Sequence, residues 1–280
     1  MKVTYFGTTT LLFDDEKDQI LFDCHFTRPS LGKYVRGAKV TTDEKMVDRL
    51  FKAHHVDRLR AIVVSHSHFD HVMDAPYAAK KTGAVLYGSS SVINVGRGGS
   101  LPEEQMVEYA DGTEFSVGDF KIRAMKSLHS KPTILNNDLG ELIENPLPQP
   151  AGLHDYKEGG SYDFYIEHPE RRILIRPSFN YIEHQLDGIQ ADVLFLGVAG
   201  LGKADRDTEK KFFSETVKKV KPKLVIPVHW DNFFSSLGKP ATGMPALIEK
   251  TELSFFRVAK YCEKHQIDFV VQIPRTSMHI

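Results

Sequence analysis

The stretch Ala61-Ile-Val-Val-Ser-His-Ser-His-Phe-Asp-His71 decides the fold, because an apolar run passes directly into four side chains that can bind a metal ion. Ile62, Val63 and Val64 are β-branched and uninterrupted by charge, which is typical of a strand buried on both faces. Ser65 begins a segment that is too polar to continue the strand. The sequence therefore predicts a metal-binding loop at the end of a buried strand.

The four candidate ligands of this loop are His66, His68, Asp70 and His71. In an extended chain they would point in different directions, so two neighbouring ions can use them better than one. Imidazole nitrogens with one carboxylate suit zinc better than calcium or magnesium, whose sites are built from oxygen. We expect one or two zinc ions, with manganese and iron left open. The alternative, a solvated loop rich in histidine, explains poorly why four such residues follow a buried strand.

The pattern His-x-His-x-Asp-His after a strand resembles the signature of the metallo-β-lactamase fold superfamily, whose members are mostly metal-dependent hydrolases. The resemblance implies an α/β fold, an αββα four-layer sandwich of two mixed β-sheets flanked by helices. It covers the chain from residue 1 to about residue 273. His129 follows an alternating segment and resembles the next metal ligand of the family, and His229 closes another apolar strand and resembles the last.

The resemblance also implies roles for these residues. It implies that Asp70 has a second, catalytic role, in which Asp70 orients the attacking water or passes its proton to the leaving group. The ligands implied for the first metal are His66, His68 and His129, and those for the second are Asp70, His71 and His229.

One position departs from the pattern of the family. A bridging aspartate usually follows a strand, but the matching stretch Arg172-Ile-Leu-Ile-Arg-Pro-Ser-Phe-Asn180 has Ser178 there. Ser178 joins the ligand set as a neutral oxygen, so we expect a weaker second metal. The alternative is that Ser178 belongs to an ordinary turn and that the counterpart is Glu183 or Asp187.

The chain of 280 residues with 41% hydrophobic content is long enough for one large domain, and no linker divides it. We expect a single domain over residues 1–280 with an insertion at 130–160, which has four prolines and little periodicity. Because it begins beside His129, an active-site lid is favoured over a surface insertion. The aliphatic side chains expected to exclude water there include Ile134, Leu135, Leu139 and Leu142.

Charge and cysteine content limit the partners. The formal net charge of −1 gives no basic field, so a nucleic acid partner is not expected and a small-molecule substrate is. The two cysteines fit a reduced, cytoplasmic setting. No apolar run is long enough to span a bilayer, and the N-terminal residues lack the apolar core of a signal peptide, so no membrane partner is expected. A homo-oligomer is left open.

Local patterns predict further elements. Three short strands over 3–6, 10–13 and 19–22 form a meander that ends at Asp23, where either a ligand-orienting carboxylate or an ordinary turn is expected. His25 is a weaker candidate for the cleft, and Arg28, Lys33 and Arg36 are expected in a solvated loop. Helices are predicted over 43–53, 74–81, 207–220 and 246–264, and strands over 84–87, 105–109, 113–117, 120–128, 161–166, 172–175, 191–197, 223–228 and 268–273.

Within the superfamily, the short N-terminal opening and the Pro-x-His-Trp-Asp-Asn-Phe ending resemble the branch of L-ascorbate-6-phosphate lactonase. We expect hydrolysis of a small ester, lactone or phosphoester by a metal-activated water. The alternatives are a non-catalytic metal-binding descendant that lost turnover with the bridging aspartate and, less favoured, a nuclease.

Overall fold

The computed structural model describes residues 1–132 and 137–280. The strands are β1 (Lys2–Gly7), β2 (Thr10–Asp14), β3 (Gln19–Phe22), β4 (Lys39–Val40), β5 (Leu59–Val63), β6 (Val85–Gly88), β7 (Met106–Glu108), β8 (Glu114–Val117), β9 (Phe120–Lys126), β10 (Ala151–Gly152), β11 (Tyr162–Glu167), β12 (Arg172–Arg176), β13 (Val193–Gly197), β14 (Leu224–Val228), β15 (Asp268–Phe269) and β16 (Thr276–His279). The helices are α1 (Leu31–Val35), α2 (Glu44–Ala53), α3 (Phe69–Val72), α4 (Ala75–Thr82), α5 (Ser90–Gly98), α6 (Arg206–Glu215), α7 (Val217–Val220) and α8 (Thr251–His265).

Two mixed sheets form the centre of the fold. The first has the strand order β16-β1-β2-β3-β5-β6-β7, and the second has the order β15-β14-β13-β12-β11-β9-β8. In the first, β1 to β3 are the predicted antiparallel meander, and β5 to β7 continue parallel to β3. The predicted αββα sandwich is confirmed.

Alternation along the strands builds two layers of core at once. Val63 of β5 packs between the sheets, whereas its neighbour Ile62 packs on the helix side of the first sheet. Phe13 meets Phe195 of the other sheet edge to face, with ring centroids 5.6 Å apart. Both faces of β5 are therefore covered, as its uninterrupted apolar sequence predicts.

Strand direction brings the polar loops of the second sheet together. β9 and β12 are each antiparallel to β11, so they run the same way, and β13 and β14 are parallel to β12. The carboxyl ends of β9, β12 and β14 therefore lie at one edge of this sheet. The loops that carry His129, Ser178 and His229 follow these ends.

The insertion is tied to the rest of the protein at a few points in its second half. β10 pairs with β4, and Tyr156 is buried in the cluster on the helix side of the first sheet. The Ser67 hydroxyl donates to the Lys157 carbonyl at 2.6 Å, which ties the insertion to the ligand loop. Of the aliphatic side chains expected to exclude water, Ile134 and Leu135 lie outside the described residues, and Leu139 and Leu142 are exposed. The lid remains a prediction.

Some elements differ from the sequence prediction. α8 begins at Thr251 and not at 246, because the Glu249 carboxylate before it accepts hydrogen bonds from the amides of Gly200 (2.8 Å) and Gly202 (3.2 Å). The helix predicted over 207–220 divides at Thr216 into α6 and α7. Only Asp268–Phe269 of the predicted last strand forms β15. No sequence pattern predicts α1, α3, β4, β10 or β16.

Arg28 also corrects an expectation, because its side chain is 3% exposed and does not lie in a solvated loop. Its guanidinium donates to the Asp231 carboxylate at 2.6 Å, and Asp231 also accepts hydrogen bonds from the Tyr5 hydroxyl and the Thr8 amide. Burial alone would raise the pKa of Asp231, but Arg28 and these donors outweigh it and lower the pKa. The network joins β1 to the loop after β14. Lys33 is exposed, as expected.

We predict that Asp231→Asn lowers the free energy of unfolding by about 3–5 kcal/mol, because it leaves Arg28 buried without its counter-charge. Urea unfolding in the presence of a chelator measures this without any contribution from metal binding. Asp187→Asn is the control, since Asp187 is exposed and its ion pair with Lys219 should contribute at most about 1 kcal/mol. An equal loss in both variants would contradict the prediction.

The sign of the pH dependence follows from the lowered pKa of Asp231. Its contribution is present above the unfolded-state pKa of about 3.9 and is lost as the pH falls through the folded-state pKa. The wild type and Asp231→Asn should therefore converge in stability in acid.

Candidate metal centre

The ligand loop divides its four side chains between two groups. His66 and His68 lie in the extended segment after β5, whereas Asp70 and His71 lie on the single turn of α3. Within each group, one possible ligand atom from every residue lies within 4.8 Å of the others. The groups are His66, His68 and His129, and Asp70, His71 and His229. These are the two sets that the resemblance implies, and their role as metal ligands stays a prediction.

The two groups are adjacent. The rings of His66 and His71, one from each group, have centroids 3.8 Å apart. The His229 ring lies 5.3 Å from that of His71, and the His129 ring lies 4.9 Å from that of His66. Two ions held at these groups would therefore be neighbours in one site.

Backbone contacts hold the two later ligands. The His129 ring nitrogen Nδ1 lies 2.9 Å from the Ser130 carbonyl, which leaves Nε2 for the site. His229 has a left-handed backbone with φ 58°, and its amide donates to the Thr8 carbonyl at 2.6 Å. Such a conformation costs about 1–3 kcal/mol and persists only where the surroundings impose it. The Thr8 contact and the neighbouring Asp231 network impose it here.

Asp23 orients His71 from behind. The His71 ring nitrogen Nδ1 lies 2.7 Å from the Asp23 carboxylate, which also accepts hydrogen bonds from the Ser65 amide (2.7 Å) and the Thr9 hydroxyl. With Nδ1 as donor, Nε2 of His71 carries the lone pair that a metal ion needs. The ligand-orienting alternative for Asp23 is therefore the one that the structure supports.

Asp138 plays a similar part for His68, although no sequence pattern indicates it. The carboxylate oxygens of Asp138 lie 3.1 and 3.3 Å from Nε2 of His68. If Nε2 donates to Asp138, Nδ1 is the ring nitrogen left for a metal ion. Asp138 lies in an irregular segment, seventy residues after its partner, so neither spacing nor periodicity could identify it.

The protonation of the ligands suits metal binding. Burial lowers the pKa of His66 well below its ordinary value and the pKa of His129 to about 3, so both rings are neutral at neutral pH. Burial alone would raise the pKa of Asp70, but His71 and His229 outweigh it and lower the pKa. Asp70 is therefore a carboxylate. Burial alone would lower the pKa of His229, but the hydrogen bond to Asp70 outweighs it and raises the pKa. The site therefore offers two neutral imidazoles, those of His66 and His129, and one negative charge.

Ser178 is buried and lines the same cleft as His68, Asp70, His129 and His229. The cleft has a volume of about 1560 Å³. The loop that carries Ser178 is bonded to the His129 segment, since the Asn180 side chain donates to the His129 carbonyl at 2.7 Å.

The other sequence candidates lie in different places. Glu183 lines the cleft, whereas Asp187 is exposed and pairs with Lys219 and His184. His25 is fully buried but belongs to neither ligand group. Its Nδ1 lies 3.3 Å from the Thr8 hydroxyl, and burial lowers its pKa to about 3. Asp187 is therefore removed as a counterpart of the bridging aspartate.

A family model described as a beta-lactamase superfamily domain matches residues 18–230, which include every candidate ligand. The chain belongs to the beta-lactamase superfamily. A relative from Myxococcus xanthus (strain DK1622), named a UPF0173 metal-dependent hydrolase, is 30% identical over 192 residues. The alignment covers 66% of this chain, which spans 60% of the length of that relative. The superfamily expected from the ligand motif is confirmed, and the lactonase branch stays a prediction.

Solved structures share this fold. Igni18, a metallo hydrolase from Ignicoccus hospitalis KIN4/I, is similar with a TM-score of 0.57 and 15% identity over 100% of this chain and 98% of its own. Zn²⁺-bound PqqB from Methylobacterium extorquens is similar with a TM-score of 0.56 and 11% identity over 100% of both chains. At these identities the likeness is one of fold.

We predict that Asp138→Ala weakens metal binding at the His66, His68 and His129 group by about 10–100-fold, because His68 loses the partner that fixes its ring. Asp138→Asn keeps a hydrogen-bond acceptor without the charge, so its metal affinity should fall between those of the wild type and Asp138→Ala. Competition with a chromophoric chelator measures the affinity. Glu141→Ala is the control, since Glu141 lies on the same segment and pairs with Lys157. Equal affinity of Asp138→Ala and the control would remove Asp138 from this role.

Proposed function

We propose that the protein is a metal-dependent hydrolase that cleaves a small ester, lactone or phosphoester. The observation that carries the proposal is the pair of adjacent ligand groups at the base of one cleft. The relative named a metal-dependent hydrolase supports the same reaction class.

A proposed cytoplasmic location is supported by two buried, free cysteines. Within the described residues, no helix is long and apolar enough to cross a bilayer.

The residues present fit a metal ion. Within the described part of the chain, Nε2 of His66 and Nε2 of His71 are buried without a hydrogen-bond partner. Buried polar atoms without a partner are rare in native proteins and call for an explanation. A metal ion at each group would supply the partner. Histidine nitrogens with a single carboxylate favour zinc, and they also fit manganese or iron.

The chemistry divides between the metal and the side chains. A bound divalent ion lowers the pKa of a coordinated water towards about 7 and polarises a carbonyl or phosphoryl oxygen. Asp70 is proposed to accept a hydrogen bond from the attacking water and orient it, since its lowered pKa keeps it ionised. Asp23 and Asp138 hold the rings of His71 and His68 in place. The side chains therefore arrive at the reaction already oriented.

The two groups differ in charge, which bears on how many ions are held. The first group has three imidazoles, and the second has the Asp70 carboxylate and two imidazoles. Ser178 adds at most a neutral oxygen where a carboxylate would give a second negative charge. The cleft then offers one ligand carboxylate for two divalent ions. We propose that the site binds one ion tightly and one more weakly. The missing negative charge is also why a non-catalytic metal-binding protein is kept as the second candidate function.

Our first prediction for this function is that His68→Ala loses at least about 100-fold in metal-dependent hydrolysis, since removing a ligand should cost more than removing its hydrogen-bond partner. A panel of an ester, a lactone and a phosphodiester, with and without chelator, measures the activity. His184→Ala is the control, because His184 is an exposed histidine outside both groups. Undiminished turnover in His68→Ala would refute the assignment, and a wild type inactive on the whole panel with metal bound would favour the non-catalytic candidate.

We also predict that Ser178→Asp tightens the weaker ion, because a carboxylate adds charge and a bridging oxygen. Titration of the apo-protein should show one tight and one weaker equivalent in the wild type and two tight equivalents in the variant. Ser178→Asn is the matched control, with similar size and no charge. If Ser178→Asp and Ser178→Asn bind metal alike, Ser178 does not reach the ions, and Glu183 becomes the candidate counterpart.

A further inference from the structure

The cleft over the ligand groups is larger than a small substrate needs. Its volume of about 1560 Å³ exceeds the roughly 300–1,000 Å³ that is usual for ligand pockets. The bond that is cleaved has to lie beside the two ligand groups. The remaining volume is therefore available to a part of the substrate that does not react. The lining of that volume indicates what this part is.

Aromatic rings line one side of the cleft without a break from a metal-ligand candidate outwards. Phe233 meets the His229 ring at 5.4 Å and a right angle, and Phe234 follows at 4.6 Å from Phe233. Phe234 in turn lies 5.5 Å from Tyr34, and Phe69 contacts Phe233, Phe234 and Tyr34 at 5.7–6.2 Å. We call Tyr34, Phe69, Phe233 and Phe234 the aromatic wall; all four line the cleft.

Two aliphatic side chains stand at the cleft beyond this wall. Val35, next to Tyr34 on α1, is 67% exposed, and Leu247, in the loop before α8, is 94% exposed. A single exposed aliphatic residue needs no explanation, but exposed apolar residues continuous with an apolar cleft mark a binding surface. An apolar group in the cleft would bury part of both side chains.

The charges of the cleft do not select a polyanion. Among the described residues that line it, seven are acids and four are lysines. Lys157 is paired with Glu141 at 2.8 Å, and the Lys203 ammonium donates to the Leu247 carbonyl. Binding several phosphates requires an excess of basic groups. A neutral ester therefore fits this lining better than a phosphodiester or a nucleic acid.

From these observations we infer that the substrate is a neutral carboxylic ester with an aliphatic acyl chain that lies along the aromatic wall and reaches Val35 and Leu247. The inference rests on the proposed hydrolase function. In the reaction, the acyl C–O bond breaks, water supplies the new C–OH bond, and the second proton of the water passes to the departing alkoxide. The products are a fatty acid and an alcohol, and no further reactant is needed.

The test compares p-nitrophenyl acetate, butyrate and octanoate as substrates of the metal-loaded wild type. A buried methylene contributes about three- to four-fold, so kcat/KM should rise on the order of 100-fold from butyrate to octanoate. In the double variant Val35→Ser/Leu247→Ser, the ratio of kcat/KM for the octanoate ester to kcat/KM for the acetate ester should fall. Both side chains are exposed, so the fold should be unaffected, which thermal unfolding checks. Phe256→Ser is the matched control, because Phe256 is 63% exposed on α8, outside the cleft.

A binding measurement separates this inference from the proposed function. Calorimetric titration with the free carboxylates acetate, butyrate and octanoate needs no turnover. The octanoate anion should bind more tightly than the acetate anion in the wild type and should lose that advantage in Val35→Ser/Leu247→Ser. If octanoate binds in this way but no ester is cleaved, the hydrolase proposal fails and the apolar chain site stands. If acetate ester is cleaved but chain length has no effect on turnover or binding, the inference is overturned and the hydrolase stands. Cleavage of a phosphodiester in preference to every carboxylic ester would also overturn it.

Discussion

The buried carboxylate of Asp23 is the contact on which the ligand geometry depends. An unpaired carboxylate inside a protein is costly, so its donors have to stay in place. These donors are Thr9 between β1 and β2, Ser65 after β5 and the ring of His71 on α3. Three chain segments are thereby fixed relative to one another at the edge of the first sheet. Asp23 itself adopts a left-handed backbone with φ 51°, a conformation that this set of hydrogen bonds imposes.

Much of the fold could be read from local patterns, because most of its strands are either continuous apolar runs or alternate regularly. The elements that escaped prediction are those that long-range partners create. β4 and β10 have two residues each and exist only as a pair, and β16 is mostly polar and owes its strand conformation to β1. The start of α8 depends in the same way on distant contacts, since the amides of Gly200 and Gly202 hold the carboxylate of Glu249 just before it.

The positions of the candidate ligands were predictable for two different reasons. His66 to His71 form a dense linear motif, whereas His129 and His229 were expected from the resemblance to the superfamily, each in a segment that follows a predicted strand. Residues that contact the ligands or the cleft from distant parts of the sequence had no such signal. Asp138 and the aromatic wall became visible only once the insertion and α1 were placed. Arg28 shows the converse, because a basic residue in a polar stretch looked solvated until Asp231 was seen to bury it.

Each ligand group takes residues from both sheets, since the ligand loop follows β5 of the first sheet and His129 and His229 follow β9 and β14 of the second. An ion in either group would thus act as a reversible cross-link between the sheets, in a chain whose two cysteines are free. Such a link exists only in the folded state. A free metal concentration one hundred times the dissociation constant of one site would therefore add about 2.7 kcal/mol to the free energy of unfolding. The lifetime of the protein in a cell would then follow the supply of metal as well as the temperature.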